Sequence, residues 1–294
     1  MRGRQDSAFS ALSRNTLASI SLLCASGTEW LRKVCPCMSI TRSLDPPNNW
    51  PQVQENRSIS GGRSGSFFLK TYDNTLLLKT ISRKEQKTLI SRLVPRLSAH
   101  PQQSLLARIH GLFGVKTSGT ASEFVILMDN ILQVPTDIAE TYDLKGSRLN
   151  REVGETAAFM PSRTLKDVDF KKRAKQLHLS SLDKDRFAEA VIADISLLSC
   201  LHLTDYSILI AIGEYPGDLA DLPPYLSRHL FRLEGSRTQV YTMGLIDYLE
   251  TYSFKKKVET ASKRLVAAER DISSMNSQKY AERFLDMVRS ILDY

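Results

Sequence analysis

The chain is poor in cysteine, in long apolar runs and in repeats. Its four cysteines (Cys24, Cys35, Cys37 and Cys200) include no C-x-x-C pair, so neither a zinc site nor a disulfide framework is expected. Cys35-Pro36-Cys37 is too tight for a usual structural site. A reducing, intracellular compartment fits such sparse cysteine use. No apolar stretch approaches the roughly 18–20 residues needed to span a bilayer. The longest one near the N-terminus, Ala18 to Ala25, is short and broken by serines. There are no internal repeats. Charge is not extreme either: the net charge of +8 favours anionic partners such as nucleic acid, phosphate esters or an acidic membrane face, without choosing among them. The apolar fraction of 42% and charged fraction of 24% are ordinary for a globular protein. A chain of 294 residues can form one large or two small domains with a proper core.

Residues 1–58 contain Pro46-Pro47-Asn48-Asn49 and little periodicity, so they read as an unstructured or atypical extension. Residues 1–28 are serine-rich, with Arg2, Arg4 and Arg14 against one acid, Asp6. That composition leaves three readings open: an organellar transit peptide, a plain tail, or a misassigned chain start. Beyond it, Phe67 to Thr71 and Thr75 to Ile81 read as strands joined by a tight turn at Asp73-Asn74. Ser82 with Glu85 forms a capping box, opening a helix that carries Leu89 and Leu93 and is disturbed by Pro95. Glu123 to Met128 is an apolar strand, and Met128-Asp129-Asn130 would connect two lobes. Ser181 caps a longer helix with Phe187, Val191, Ile195 and Leu198 at helical spacing. Tyr206 to Ile212 and Gln239 to Ile246 are strands, with Gly213 to Pro224 a loop. A final helix has Tyr280, Phe284, Met287, Val288 and Ile291 on one face. Strands dominate residues 60–130 and helices with scattered strands follow, which predicts an α+β, two-lobed architecture.

Several polar groups stand in this apolar framework. Ser60 to Ser66 (SGGRSGS) is a small-residue loop whose backbone N–H groups and hydroxyls could cradle phosphate; alone, it could equally be a plain turn. Lys79 lies in Leu76-Leu77-Leu78-Lys79-Thr80-Ile81 and shares a face with Leu77 and Ile81. A lysine there is costly without a negative partner, unless it snorkels to solvent from an edge. Lys145 follows in Tyr142-Asp143-Leu144-Lys145-Gly146-Ser147. Asp205 lies between the long helix and an apolar strand, and Asp247 ends another strand. Each aspartate alone could be a helix cap or turn. In order, the set is a phosphate cradle, two lysines, a carboxylate to orient a hydroxyl nucleophile and a carboxylate to hold magnesium. Those are the parts of ATP-dependent phosphoryl transfer. The protein-kinase versions of the motifs are absent: no arginine precedes Asp205, no asparagine follows it at the usual offset, and Tyr248 follows Asp247 in place of Phe-Gly.

The chain resembles the phosphatidylinositol phosphate kinase family from about Gly61 to Ile291. The resemblance rests on Ser64-Gly65-Ser66-Phe67-Phe68, Leu78-Lys79-Thr80-Ile81, Asp143-Leu144-Lys145-Gly146-Ser147, Leu165-Lys166-Asp167-Val168-Asp169-Phe170, Asp205-Tyr206-Ser207, Met243 to Tyr248 and Tyr280 to Phe284. It implies a kinase-like fold with an antiparallel sheet in an N-lobe of about 59–130 and a mixed α/β C-lobe of about 131–294. It also implies ATP as co-substrate and Mg²⁺ as metal. Ser64, Gly65, Ser66, Lys79, Met128 and Asn130 would bind ATP. Lys145 would contact the transferring phosphate or its lipid acceptor, Asp205 would be the catalytic aspartate, and Asp247 the magnesium ligand.

The segment from about Phe254 to Gln278 would be the activation loop, although Ser277 stands where the family often has proline. Lys255, Lys256, Lys257, Lys263 and Arg264 in that segment would meet an anionic membrane and its lipid substrate; a solvated charge run is the plainer reading. The expected activity is phosphorylation of a phosphatidylinositol monophosphate, with the 4-phosphate converted to the 4,5-bisphosphate. The 5-phosphate is the nearest competing acceptor, and a 3-phosphate acceptor is disfavoured because Asp169-Phe170 resembles the 4,5-bisphosphate-forming branches. No nucleic-acid partner is implied. The expected location is cytoplasmic, peripheral on the cytosolic face of membranes, the plasma membrane first. Residues 1–58 do not look like the elements that build the family's dimer contact, so homodimerisation stays open. Two other readings are a catalytically impaired phosphoinositide-binding or scaffolding relative and, ranked last, a soluble inositol polyphosphate kinase.

Overall fold

The computed structural model describes residues 43–45, 47–49, 66, 68–97, 103–115, 123–133, 137–153, 164–173, 175–222, 224–251 and 276–292. The readings placed on residues 1–42 and most of the activation-loop segment lie outside the described residues. The chain divides into two compact units, one of Met1–Lys87 with Ala107–Gln133 and one of Thr88–Leu106 with Val134–Tyr294.

In the first unit, β1 (Phe68–Lys70), β2 (Leu76–Ile81), β3 (Ile109–Val115) and β4 (Glu123–Asp129) form an antiparallel sheet in the order β1-β2-β4-β3. The turn between β1 and β2 is built around Asp73. Its carboxylate accepts hydrogen bonds from Thr71 Oγ1 at 2.7 Å, Thr75 N at 3.2 Å and Thr75 Oγ1 at 2.8 Å, and from Ser43 Oγ at 2.5 Å. Burial opposes the charge, but donation from Ser43, Thr71 and Thr75 holds this carboxyl below its ordinary range. Asn74 takes a left-handed backbone (φ 57°), a conformation that asparagine tolerates. β2 buries Leu76, Leu78, Lys79 and Ile81, and β4 adds Val125, Ile126 and Leu127 to the core.

The capping box is present: Ser82 N–H donates to Glu85 Oε2 at 2.8 Å, and Glu85 N–H to Ser82 Oγ at 3.2 Å. Helix α1 (Arg83–Thr88) widens into a π turn at Leu89–Leu93 and resumes as α2 (Val94–Leu97). The disturbance lies just ahead of Pro95, whose ring and missing N–H would conflict with the preceding turn of a regular helix. Leu89 and Leu93 are buried as the spacing predicts.

The second unit holds β5 (Asp137–Leu144), β6 (Leu165–Lys166), β7 (Leu203–Thr204), β8 (Ser207–Glu214), β9 (Leu230–Arg232), β10 (Gln239–Ile246) and β11 (Glu250–Thr251). Beyond α2, its described α-helices are α3 (Asp167–Lys172), α4 (Ser181–Cys200), α5 (Pro224–Ser227) and α6 (Ser277–Ile291). The main sheet runs β6-β5-β8-β10-β9, with only β5 and β6 parallel among its pairs. β7 pairs with β11 in a separate two-stranded ladder. The predicted α+β class holds: among the described residues there are two antiparallel sheets, one of them the β7–β11 ladder, and one mixed sheet. Two long strands, β3 and β5, were not expected from the sequence. β5 (DIAETYDL) buries only Tyr142 and Leu144 and leaves its first five residues exposed or half-buried, and this hides the alternation. The N-cap of α4 is Ser180, whose hydroxyl accepts from Asp183 N at 3.3 Å, one residue before the predicted Ser181. Aromatic edges close the core: Tyr142 against Phe170 at 5.0 Å, Phe187 against Phe231 at 5.4 Å, and Tyr206 against Tyr280 at 4.6 Å and Phe284 at 5.1 Å.

Candidate active site

Strand register brings the predicted carboxylates of the second unit together. β8 and β10 are antiparallel, with Ser207 opposite Ile246. β7 and β11 are antiparallel, with Thr204 opposite Glu250. Asp205 therefore falls in the junction from β7 to β8, and Asp247 in the junction from β10 to β11. The two ladders bracket both residues from either side. β5 ends beside them, since Leu144 pairs with Ile208, and this carries Lys145 to the same end of the sheet.

Lys145 reaches Asp205 directly. Its Nζ donates to the Asp205 carbonyl oxygen at 2.6 Å and to Asp205 Oδ1 at 3.1 Å. The pair is half-shielded, with side-chain exposures of 14% and 32%, so solvent screens it less than a surface pair. Asp205 and Asp247 both have left-handed backbones, at φ 68° and 60°. Such conformations cost about 1–3 kcal/mol each and gather at functional sites. Beside Asp205, the hydroxyls of Thr204, Tyr206 and Ser207 are buried, with no protein hydrogen-bond partner among the described residues. Burial pushes the Tyr206 phenol well above its ordinary value, so it stays neutral. Both aspartates thus stand in a backbone conformation that gathers at functional sites.

The lysine loop is held by groups from distant parts of the chain. N–H groups of Lys145, Gly146 and Ser147 all donate to Asp167 Oδ1, at 2.9, 2.7 and 3.2 Å. Arg151 joins Asp167 Oδ2 through Nε and Asp143 Oδ1 through a terminal nitrogen, both at 2.7 Å, and also donates to the Asp143 carbonyl. Burial alone would lower the Arg151 guanidinium, but attraction from Asp143 and Asp167 raises it above its usual value. From α6, Arg283 donates to the Lys145 carbonyl at 3.1 Å, and the Tyr280 hydroxyl donates to the Tyr206 carbonyl. Gly146 is required where it stands: its φ is +66°, and a Cβ would lie 3.1 Å from Met287 Cβ and 3.2 Å from the Arg283 carbonyl. Sequence reasoning assigned no role to Arg151, Asp167, Tyr280 or Arg283, although three of them lie in segments that carry the family resemblance.

The remaining predicted residues separate into those the structure describes and those it does not. Lys79, in the first unit, is buried at 7% exposure, opposite Phe68 on β1 and Ile126 on β4. Its Nζ stands 5.3 Å from the centroid of the Phe68 ring, so it does not snorkel. Ser66 is half-buried just ahead of β1. Met128 is buried within β4. Asn130 is also buried, with its amide donating to the Asn74 carbonyl at 2.7 Å and its oxygen accepting from Leu132 N at 3.1 Å. Ser64, Gly65, Lys255, Lys256, Lys257, Lys263 and Arg264 lie outside the described residues.

The family model described as phosphatidylinositol-4-phosphate 5-kinase matches residues 52–223 and 231–291. The chain belongs to the phosphatidylinositol phosphate kinase family. The resemblance carried by its motifs is thereby borne out. A Dictyostelium discoideum protein described as a probable phosphatidylinositol phosphate kinase is 30% identical across 79% of this family member and 41% of its own length. The phosphatidylinositol 5-phosphate 4-kinase type-2 alpha of Rattus norvegicus is 26% identical, covering 86% of this chain and 72% of the relative. The human type-2 beta protein is 25% identical over 80% and 69% respectively. This member of the family thus spans less than half of the Dictyostelium relative and about seven tenths of the other two.

Proposed function

We propose that the chain is an ATP-dependent lipid kinase that phosphorylates the inositol ring of a phosphatidylinositol monophosphate. The observation that carries this reading is the Lys145–Asp205 contact at the sheet end shared with Asp247. In this reading Asp205 orients the ring hydroxyl and accepts its proton, and the Lys145 ammonium meets charge on the transferring phosphoryl group. Fixed cations in a partly shielded site are the main source of rate in such transfers. Asp247, an exposed carboxylate at the same end of the sheet as Asp205, suits Mg²⁺, which is commonly held by one or two carboxylates together with substrate phosphates and water. Bound there, the ion would neutralise phosphate charge. Lys79, with Ser64, Gly65, Ser66, Met128 and Asn130, would engage ATP.

The product we propose is the 4,5-bisphosphate. The motifs favour the 4-phosphate as acceptor; the names of the rat and human relatives favour the 5-phosphate, phosphorylated at the 4-hydroxyl. Incubation of the purified chain with labelled ATP and each monophosphate isomer in vesicles, with products resolved by isomer, decides between them. No transfer to any isomer would leave the impaired, phosphoinositide-binding alternative. A cytosolic, membrane-peripheral location belongs to the same proposal, with the basic run at Lys255, Lys256, Lys257, Lys263 and Arg264 as the docking surface. Each such charge contributes about 1 kcal/mol near an anionic leaflet. Neutralising all five should reduce activity on anionic vesicles far more than on a short-chain soluble lipid, and equal losses would assign the run to folding or catalysis. Among the described residues no helix is long and apolar enough to cross a membrane.

A further inference from the structure

Three consecutive N–H groups around a left-handed glycine form a concavity that ordinarily takes up an anion. Here the anion is a side chain of the same chain, Asp167, which receives the N–H groups of Lys145, Gly146 and Ser147 on one oxygen. Asp167 opens α3, yet that oxygen serves the lysine loop. Its second oxygen is taken by Arg151, which also grips Asp143, two residues before the lysine. On the other side of the same residue, Arg283 holds the Lys145 carbonyl. The backbone of Lys145 is thus fixed at its N–H by Asp167 and at its C=O by Arg283, and the direction of its Cα–Cβ bond follows from both.

A lysine side chain has many rotamers to choose from, so a fixed root narrows where its ammonium can go. We propose that Asp167 is the positioning residue that keeps Lys145 on Asp205, with Arg151 as the counter-ion that holds the Asp167 carboxylate in place. The inference rests on Lys145 serving phosphoryl transfer. Asp167 acts only through the loop, because its contacts are to backbone N–H groups and to Arg151.

The test compares wild type, Asp167→Ala, Asp167→Asn and Arg151→Lys in the full chain. Asparagine keeps an oxygen for the three N–H groups, and lysine lacks the fork that joins Asp143 to Asp167. Asp167→Ala is expected to lower kcat per folded molecule by about a hundredfold, with KM for ATP within about threefold, and Asp167→Asn to recover at least about tenfold of that loss. A second readout needs no lipid. Labelling with an amine-reactive ester, followed by mass spectrometry, should modify Lys145 several-fold faster in Asp167→Ala than in wild type, with exposed Lys84 as the internal standard.

A lowered Tm with kcat per folded molecule and Lys145 labelling both at wild-type values would overturn the proposal and leave Asp167 a purely structural residue. If Asp167→Ala does not fold, Asp167→Asn and Arg151→Lys carry the same measurements, with smaller changes of the same sign expected. If wild type transfers phosphate to no lipid, the kinase reading fails separately. The labelling arm still decides the positioning, and unchanged labelling in the variants then rejects it.

Discussion

Lys79 is buried and Lys145 half-buried, and they are held in different ways. Lys79 sits in a regular strand with a paired strand on each side, and its position is the position of β2. The ladder would hold any residue there. Lys145 sits just past a strand end, in a loop that borrows Asp167, Arg151 and Arg283 from three other places. Its position exists only while those side chains do. A strand lysine should therefore tolerate substitutions around it, whereas a loop lysine should depend on neighbours that never touch substrate.

The largest effects should come where the loop lysine meets its partner. Asp205→Asn and Asp247→Asn keep residues that tolerate left-handed backbone, so both proteins should fold. Each should lose about 10²–10⁴-fold in kcat. Near-normal turnover of purified Asp247→Asn would sink the metal assignment. Next, Lys145→Ala should mainly lower kcat, whereas Lys79→Met should mainly raise KM for ATP. Steady-state kinetics on the two proteins check this, and an effect of Lys145→Ala confined to KM for ATP would reverse the division of labour.

A smaller effect is expected from one methyl group in the loop. Gly146→Ala must hold an L-residue at φ +66° with its Cβ against α6, at a cost of about 1–2 kcal/mol. We expect a lower Tm and a lower kcat together. A lower Tm with unchanged kcat would show that the loop absorbs the strain without moving the lysine.

The smallest effect separates the units by pH. The folded Asp73 carboxyl lies below its unfolded value of about 3.9. Its contribution is full above that value and is lost as pH falls through the lower folded one. Asp73→Asn should therefore be less stable than wild type at pH 6, with the gap closing as the pH falls below about 4. Denaturation midpoints across that range measure it, and a gap independent of pH would remove the charge from the explanation.

The sequence made the strand lysine easier to read than the loop that holds the other one. β10 was legible to the residue because it is largely apolar and buried along most of its length, and the capping box of α1 because its signals are local. β5 was missed because its polar residues break the apolar pattern. The two-residue strands β7 and β11, which bracket the aspartates, have no periodicity to detect. The identities of Lys145, Asp205 and Asp247 could be proposed from motif order. Their convergence could not, since it depends on register between strands far apart in the chain. Asp167 and Arg283 were visible only as repeated family letters, because a side chain that serves a distant backbone leaves no mark on its own neighbourhood.

The bond from Arg283 to the Lys145 carbonyl joins residues 138 apart. A ribosome adding about 5–20 residues per second takes roughly 7–30 s to cover that distance. Throughout that interval β5 and its lysine are already made, while α6 is still unwritten. A nascent chain can carry both lysines and both aspartates and still have an open loop where Lys145 belongs. Translation order thus delays completion of the lysine site until synthesis has passed Arg283, however early the first strands fold.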